Sequence, residues 1–491
     1  MDEHGVNLLD LPTEILFIIL KKLDNLEVLY SLLGVNSQRL DIVVRDQIFT
    51  IEFGSMEYII RTAHYPNLQH LEIFNFKEAI LSRHFVDHAL FQHSFTQQIT
   101  CLILNVNEDV ETIDRVYTKD VYAIVLSVFK NLKSLTIVAQ SSVENCPCLS
   151  LYDLPLHTFS SSTLTKLSVN VHDLYDVCAL LDGRLKQLTT LTVQIEAIDD
   201  SMRIPYNSND LPNFKCFSLT CYKCFKGFNN PIVPLLQCMK YLEDLSLYLH
   251  IYGGSTFISG TCLDNEILVY LPQLHSFTFY IASNNAITNS ATRVLHSDIE
   301  QTFKNLRHWQ VAFMVDYFEP YKMICRVFSL PFKFHLLEHI GNNIPNIIFN
   351  SVTHLKLWDK DPFRYEFFCR LTRAFPFLKN LSICNIKPSF LGQRYHLRDK
   401  DWCSIVEYPH LISLDIERAN ISYVEQFLNE TKTHLPNLIE LKATYMSLED
   451  VTKNFTQDQT RRNCAGVKRL FVDMPMVYKD CVYRYFPSLR V

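Results

Sequence analysis

Glycine is scarce in this chain, 11 of 491 residues, and none of them builds a Gly-rich loop that would cradle a phosphate. A Walker or Rossmann nucleotide site is therefore not expected. No Gly-x-Ser-x-Gly elbow occurs, and the Ser, His and Asp residues follow no catalytic spacing, so no catalytic residue is assigned and no enzymatic activity is expected. Asp2, Glu3 and His4 precede a helix broken by charge instead of a signal-peptide core. No apolar run approaches the roughly 20 residues a membrane span needs. The net charge of −6 offers no general attraction to nucleic acid or an anionic membrane, and tight basic pairs such as Arg461-Arg462 are isolated. Low-complexity linkers are missing too. Cysteine, by contrast, is plentiful: fifteen, an odd number scattered along the chain, reads as reduced thiols used as small core members. A soluble cytoplasmic or nuclear protein, with no membrane or nucleic-acid partner, is the expectation.

Two groups have metal-like spacing. Cys221-x-x-Cys224, with Cys216 five residues earlier, matches half a zinc knuckle, but a second ligand pair is not evident. His84 and His88 stand at i, i+4 with His93 beyond, yet no Glu follows His84 as a HExxH site requires. Core or surface thiols and a solvated helix face are the simpler readings. No metal and no cofactor are expected.

What is present begins near the N-terminus. Pro12 sits at a helix start, where its missing N–H costs nothing. Ile15, Leu16, Ile19, Leu20 and Leu23 then form one stripe on a helix over about 12–23. Leu26, Leu29, Leu32 and Leu33 mark a second short helix, and Leu40, Val43 and Val44 a third beginning near Ser37. Three helices this short cannot hide so much aliphatic surface among themselves, so part of it should be a partner's interface.

The run Leu11-Pro12-x-Glu14-Ile15-Leu16, the second leucine cluster and Val35-Asn36-Ser37-Gln38-Arg39-Leu40 resemble the F-box, over residues 7–46. The aromatic residue that family often carries near Arg39 or Leu40 is absent. The resemblance implies docking onto the adaptor subunit of SCF ubiquitin ligases, and through it to a cullin. Leu11, Pro12, Ile15, Leu16, Ile19 and Leu20 would then be the adaptor contacts.

From residue 47 onward the chain repeats the unit apolar-x-x-apolar-x-apolar. Copies stand at Ile48/Ile51/Phe53, Leu68/Leu71/Ile73, Ile99/Leu102/Leu104, Leu132/Leu135/Ile137, Leu164/Leu167/Val169, Leu188/Leu191/Val193, Phe214/Phe217/Leu219 and Leu242/Leu245/Leu247. They continue at Leu274/Phe277/Phe279, Leu306/Trp309/Val311, Val352/Leu355/Leu357, Leu378/Leu381/Ile383, Leu411/Leu414/Ile416, Leu438/Leu441/Ala443 and Val467/Leu470/Val472. Successive copies start 20 to 33 residues apart, except for one gap of 46 after Leu306. The last two apolar positions share one face of a strand and the first lies just before it. Asp120–Phe129, Asp264–Leu271, Tyr365–Phe375 and Ser422–Leu435 read as connecting helices. The long gap predicts a divergent copy around Ile324–Leu330 and a helix through Phe334–Ile340.

This pattern resembles the leucine-rich repeat family, with one departure: the family's Asn, three residues after the last apolar position, occurs only as Asn107. Its backbone-bonding work must be done otherwise. The expected fold is α/β: a three-helix F-box at 7–46 abutting a curved leucine-rich-repeat-like solenoid at 47–491, with a parallel sheet on the concave face and helices outside.

Function should then lie on the residues between the last two apolar positions, which face away from the core. The early row, Thr136, Ser168, Thr192, Ser218, Ser246 and Thr278, is small and hydroxylated. Later it becomes His308 and Gln310, His354, Lys356 and Trp358, Asp415 and Glu417, Glu440 and Lys442, then Arg469, Phe471 and Asp473. Aromatic and charged anchors carry most interface energy, so His308, His354, Lys356, Trp358, Asp415 and Glu417 are the candidate contacts to a protein client, with Trp358 as the anchor. The segment between Leu306 and Val352 is a second candidate surface. A substrate-receptor subunit fits these features, and so does a binding scaffold that directs no ubiquitination. A small-molecule-gated receptor would want a basic cup, which the hydroxyl row does not offer.

Overall fold

A computed structural model describes residues 48–52, 68–76, 95–106, 125–139, 148, 151, 160–199, 211–253, 257–286, 295–304, 306, 309–318, 322–359, 363, 365–385, 405–473 and 478–489. The expected F-box, 7–46, lies outside the described residues, as does Asn107. The fold is mixed α/β, built on large parallel sheets. The described residues form two compact units, one running to Tyr252 and including Cys262–Phe277, the other comprising Gly253–Thr261 and everything from Thr278.

In the first unit, strands β1 (Ile48–Glu52), β2 (His70–Phe76), β3 (Cys101–Val106), β4 (Ser134–Ala139), β5 (Lys166–Val171), β6 (Thr190–Ile195), β7 (Cys216–Lys226) and β8 (Asp244–Tyr252) pair parallel in chain order. The middle apolar residue of each repeat sets the register: Leu71, Leu102, Leu135, Leu167, Leu191, Phe217 and Leu245 stand opposite one another from strand to strand. All seven are buried, which is what a period of two with one covered face requires. The first copy needs correction. Phe49, not Ile51, stands opposite Leu71, so that repeat is displaced by two residues.

Short helices make the returns: α1 (Phe95–Gln98), α2 (Leu174–Leu180), α3 (Ile232–Gln237) and α4 (Gly260–Glu266), with a helical turn at 125–128. Asp173 starts α2 by accepting from the N–H groups of Tyr175 and Asp176 in a capping box. The helix expected over Asp264–Leu271 is the end of α4 followed by a 3-10 turn, Leu268–Tyr270.

A backbone clamp recurs from strand to strand. Ahead of each strand, two successive N–H groups donate to a single carbonyl of the preceding repeat. Lys133 and Ser134 donate to Thr100, Thr165 and Lys166 to Lys133, Thr189 and Thr190 to Thr165, Lys215 and Cys216 to Thr189, and Glu243 and Asp244 to Lys215. Side chains join in: Asn131 donates to the Gln97 carbonyl (2.9 Å), and the Thr165 and Thr189 hydroxyls donate to the clamp carbonyls of Lys133 (3.0 Å) and Thr165 (2.9 Å). Groups that would otherwise be buried without partners are thus satisfied turn by turn.

The second unit opens with an antiparallel group, β9 (Ser276–Ala286), β11 (Lys322–Ser329) and β10 (Val311–Phe318), with β11 in the middle. Three expectations fail here. The tenth copy, Leu306/Trp309/Val311, leads into a strand that pairs antiparallel, and the supposed copy at Ile324–Leu330 is its hairpin partner. The helix expected through Phe334–Ile340 is a strand, β12 (Leu336–Ile340).

A parallel sheet follows in the order β12, β13 (His354–Asp359), β14 (Asn380–Asn385), β16 (Ser413–Asp415), β18 (Glu440–Ala443) and β19 (Arg469–Val472). Its register column is Leu337, Leu355, Leu381, Leu414, Leu441 and Leu470. The same clamp recurs, from Thr353 and His354 to His335, from Lys379 and Asn380 to Thr353, and on through Lys468 and Arg469 to Ile439. Its connections are α6 (Tyr365–Ala374), α7 (Ile421–Leu428), α8 (Tyr445–Val451) and α9 (Asp458–Cys464), with α5 (His296–Phe303) between β9 and β10 and α10 (Asp480–Tyr485) after β19. The helix expected over Ser422–Leu435 stops at Leu428, because β17 (Thr433–His434) pairs with β15 (Val406–Glu407) in a separate two-stranded sheet. Phe363, Phe367, Phe368, Tyr423 and Phe427 pack the layer between α6 and α7. No described helix is long and apolar enough to cross a membrane.

Candidate functional site

Alternation along the second unit's parallel strands turns Leu355 and Leu357 inward, where both are buried, and leaves His354, Lys356 and Trp358 on the opposite face, each half-buried. Lys356, Ser382, Asp415, Lys442 and Phe471 stand in register as one row across five strands. Lys442 lies 2.8 Å from Glu417 and 4.0 Å from Asp415, and Arg469 lies 2.7 Å from Glu440. Bonding to Glu417 raises the Lys442 pKa, against a smaller opposing effect of burial. Asp415 also accepts from the Glu417 N–H at 3.1 Å. Phe471 ends the row 47% exposed, which makes it the apolar member open to a partner. Asp415 and Glu417 therefore share one cation at one end of the face, while His354, Lys356 and Trp358 belong to its other end.

At that other end the parallel register breaks. Leu336 and Leu337 stand opposite His354 and Leu355, but Ile340 stands opposite Leu357, so Glu338 and His339 share the room of one residue. His339 absorbs the extra length with φ +56°, in the left-handed region. Without this bulge His339 would stand opposite Leu357 and face the core. With it the ring turns onto Trp358, at 4.8 Å between centroids, and Ile340 returns to the buried side. Phe318 from β10 stacks on the same indole at 5.2 Å, and Lys322 from β11 holds its ammonium 4.1 Å from the ring centroid. Lys356 lies 2.8 Å from the buried carboxylate of Glu338. His354 receives the edge of the His335 ring at 5.6 Å and lies 2.9 Å from the Thr353 hydroxyl. The two surfaces expected separately, the Trp358 strand and the segment after Leu306, meet in one cluster.

A buried ion pair supports the bulge from beneath. Arg326, wholly buried on β11, donates to Asp316 at 2.7 Å and, through its other terminal nitrogen, to the His339 carbonyl. Asp316 accepts from the Gly341 N–H at 3.4 Å, and Asn343 donates to the Val315 carbonyl at 3.1 Å. Residues 339 and 341 are thus gripped by the two ends of one pair. A side chain at Gly341 would crowd the pair, because a Cβ there would stand 2.8 Å from the Asp316 carboxylate.

Charge and burial keep the imidazoles neutral. Burial pushes His339 down to about 4, and the cations Arg326, Lys322 and Lys356 add to the effect. His354 and His335 are lowered by burial as well, with His335, Lys379 and Lys356 contributing at His354. The cluster offers an aromatic platform, cations and neutral imidazole, which is recognition chemistry.

His308 and the expected adaptor contacts Leu11, Pro12, Ile15, Leu16, Ile19 and Leu20 lie outside the described residues, as do His84, His88 and His93. In the first unit Thr136, Ser168, Thr192, Ser218 and Ser246 do form one register row on the face opposite the leucines, whereas Thr278 in the second unit is buried. Cys216 and Cys221 point to opposite faces of β7, so the zinc-like spacing does not converge, and no group of metal-ligating side chains occurs among the described residues. The sequence did not single out Phe318, Lys322, Arg326 or His339. The only local signal was the length of the gap that contains them.

No protein-family model matches the chain, and no curated protein matches it.

Proposed function

We propose that this chain is the substrate-recognition subunit of an SCF-type ubiquitin ligase. Residues 7–46 act as the F-box, docking the adaptor through Leu11, Pro12, Ile15, Leu16, Ile19 and Leu20, and the repeats form a leucine-rich-repeat-like solenoid that holds a protein client. The chain itself is not catalytic; it acts by bringing a client near a ubiquitin-charged enzyme carried by other subunits. The observation that carries the reading is the in-register stacking of the repeats, which aligns outward side chains into rows such as Lys356, Ser382, Asp415, Lys442 and Phe471. Extended rows of this kind are how repeat proteins bind partners. The client is assigned to the face bearing His354, Lys356, Trp358, Asp415 and Glu417. No disulfide joins two of the described cysteines, which suits work in the reducing cytoplasm or nucleus.

Pull-down of the full chain with a purified adaptor–cullin subcomplex tests the reading. Binding by the wild type and its loss in a Leu11→Ala, Pro12→Ala, Ile15→Ala variant are expected. A folded chain that does not bind removes the ubiquitin-ligase role and leaves a scaffold. Proteins that co-purify with the wild type should be lost from a Trp358→Ala, His354→Ala, Asp415→Ala variant that still binds the adaptor; their retention would move the client elsewhere.

A further inference from the structure

The Cys221-x-x-Cys224 motif, which builds no metal site, lies where the register between β7 and β8 breaks. Cys221 stands opposite Leu249 and Phe225 opposite Ile251, so β7 takes four steps where β8 takes two. A straight strand advances about 3.3 Å per residue and would hold residues 221 and 224 about 10 Å apart, beyond the roughly 4.4–6.8 Å between the Cα atoms of a disulfide. Here the four steps cover only about 7 Å of the neighbouring strand, so Tyr222, Lys223 and Cys224 are folded into an arc. The Cys221 thiol donates across that arc, at 3.2 Å, to the carbonyl of Lys223, the group bonded directly to the Cys224 nitrogen. Burial pushes the Cys221 thiol up to about 12, and the charge of a neighbouring Cys224 thiolate adds to the rise.

The two sulfurs differ in access: Cys221 is wholly buried and Cys224 is exposed. An exposed thiol beside a sheltered one is the usual arrangement of a redox-sensing pair, in which the first reacts and the second resolves. Lys223, between them, makes the arc's outward contact. Its Nζ lies 3.0 Å from one oxygen of Glu196, whose other oxygen lies 2.7 Å from His172 Nδ1. We propose that Cys221 and Cys224 are a peroxide-sensitive dithiol, oxidised to a disulfide that tightens the arc and draws Lys223 away from Glu196. The Cys224 thiolate attacks one oxygen of hydrogen peroxide, the O–O bond breaks, and the departing hydroxide takes up the thiol's proton as water, leaving a sulfenic acid. The Cys221 sulfur then attacks the Cys224 sulfur, and the hydroxyl leaves with the Cys221 proton as a second water. Two thiols lose two electrons and one peroxide gains them. The pair lies in the first unit and does not depend on how the Trp358 face is used.

The test treats the folded, reduced full chain with hydrogen peroxide and maps its peptides by mass spectrometry. The peptide holding both cysteines should lose two hydrogens and regain them with dithiothreitol. In Cys221→Ala the reaction should stop at a Cys224 sulfenic acid that dimedone captures, and in Cys224→Ala residue 221 should stay reduced. Acetylation of Lys223 by acetic anhydride should rise in the oxidised wild type and fall back on reduction. Three results on the wild type alone would overturn the proposal. If both thiols remain alkylatable after peroxide, the pair is not reactive. If Cys224 goes on to sulfinic acid while Cys221 stays a thiol, the sulfurs do not meet. If the disulfide forms and Lys223 acetylation is unchanged, closure does not move the arc.

Discussion

Arg326 and Asp316 face each other at 2.7 Å in the interior, and the pair reaches past itself to the His339 carbonyl and the Gly341 N–H on either side of a bulge. Its role is to hold the backbone that delivers His339 to Trp358. A buried pair of this kind gives little net stability against an apolar replacement, but removing one partner strands the other charge. Arg326→Met should therefore destabilise the second unit by about 3–5 kcal/mol in urea unfolding. Arg326→Met combined with Asp316→Leu should recover most of that loss while leaving the bulge ungripped. Indole fluorescence separates the two effects: the double variant should be folded, with emission from Trp358 shifted toward that of a solvated indole.

Gly341 tests the same grip from the backbone side. Its φ is not left-handed, so the argument is one of space alone: a methyl group would stand 2.8 Å from one Asp316 carboxylate oxygen and 3.2 Å from the carboxylate carbon. That carboxylate is held by Arg326 and has nowhere to retreat. Gly341→Ala should cost about 1–3 kcal/mol, as overpacking generally does. If the alanine variant unfolds at the wild-type urea midpoint, the pair is more mobile than its hydrogen bonds indicate.

The lowered imidazole of His339 has a defined pH signature. Folded, it stays neutral until about pH 4, while in the unfolded chain it protonates near its ordinary value of about 6.5. Between those values the unfolded state binds the extra proton, so stability contributed by the neutral ring is present above pH 6.5 and is lost as pH falls toward 4. His335 and His354 are lowered in the same direction and add to the slope. Unfolding free energies measured from pH 7 to pH 4.5 should fall less steeply for His339→Gln than for the wild type. An unchanged slope would mean that the ring is solvated.

The leucine columns were legible in the sequence because they follow from period alone: an apolar residue facing the core must recur at the same point of every strand. Period does not specify direction, and so Leu306/Trp309/Val311 matched the repeat although its strand runs antiparallel to β11. The bulge produced the opposite error. Leu336, Leu337 and Ile340 are buried at positions i, i+1 and i+4, a helical spacing, because the inserted residue breaks the strand's alternation. At the candidate site, Trp358 was recognisable as outward-facing, but Phe318, Lys322 and His339 reach it only through the hairpin and the bulge. Nothing in their own neighbourhoods announces the meeting.

Asn463 is a polar residue that no sequence pattern marked, and it ties α9 to the end of α7. Its amide donates to the carbonyls of Phe427 (3.1 Å), Leu428 (3.2 Å) and Thr433 (2.7 Å), and its oxygen accepts from the Leu435 N–H (3.1 Å). The last carbonyls of a helix have no partner within it, so this one side chain serves as an internal cap. Asn463→Leu keeps the volume and removes every bond, leaving several buried backbone groups unsatisfied. A loss of about 3 kcal/mol or more is expected, at roughly 1–3 kcal/mol per stranded group. Asn463→Asp discriminates further. A carboxylate has no hydrogen to give three carbonyls and is repelled by them, so its folded-state pKa should be raised. The penalty should then be small below pH 4, where the protonated acid can still donate one bond, and grow as pH rises through the ordinary aspartate range. Urea midpoints for the two variants at pH 3.5 and pH 7 check this, and an aspartate variant equally stable at both would show that Asn463 does not cap α7 through its amide hydrogens.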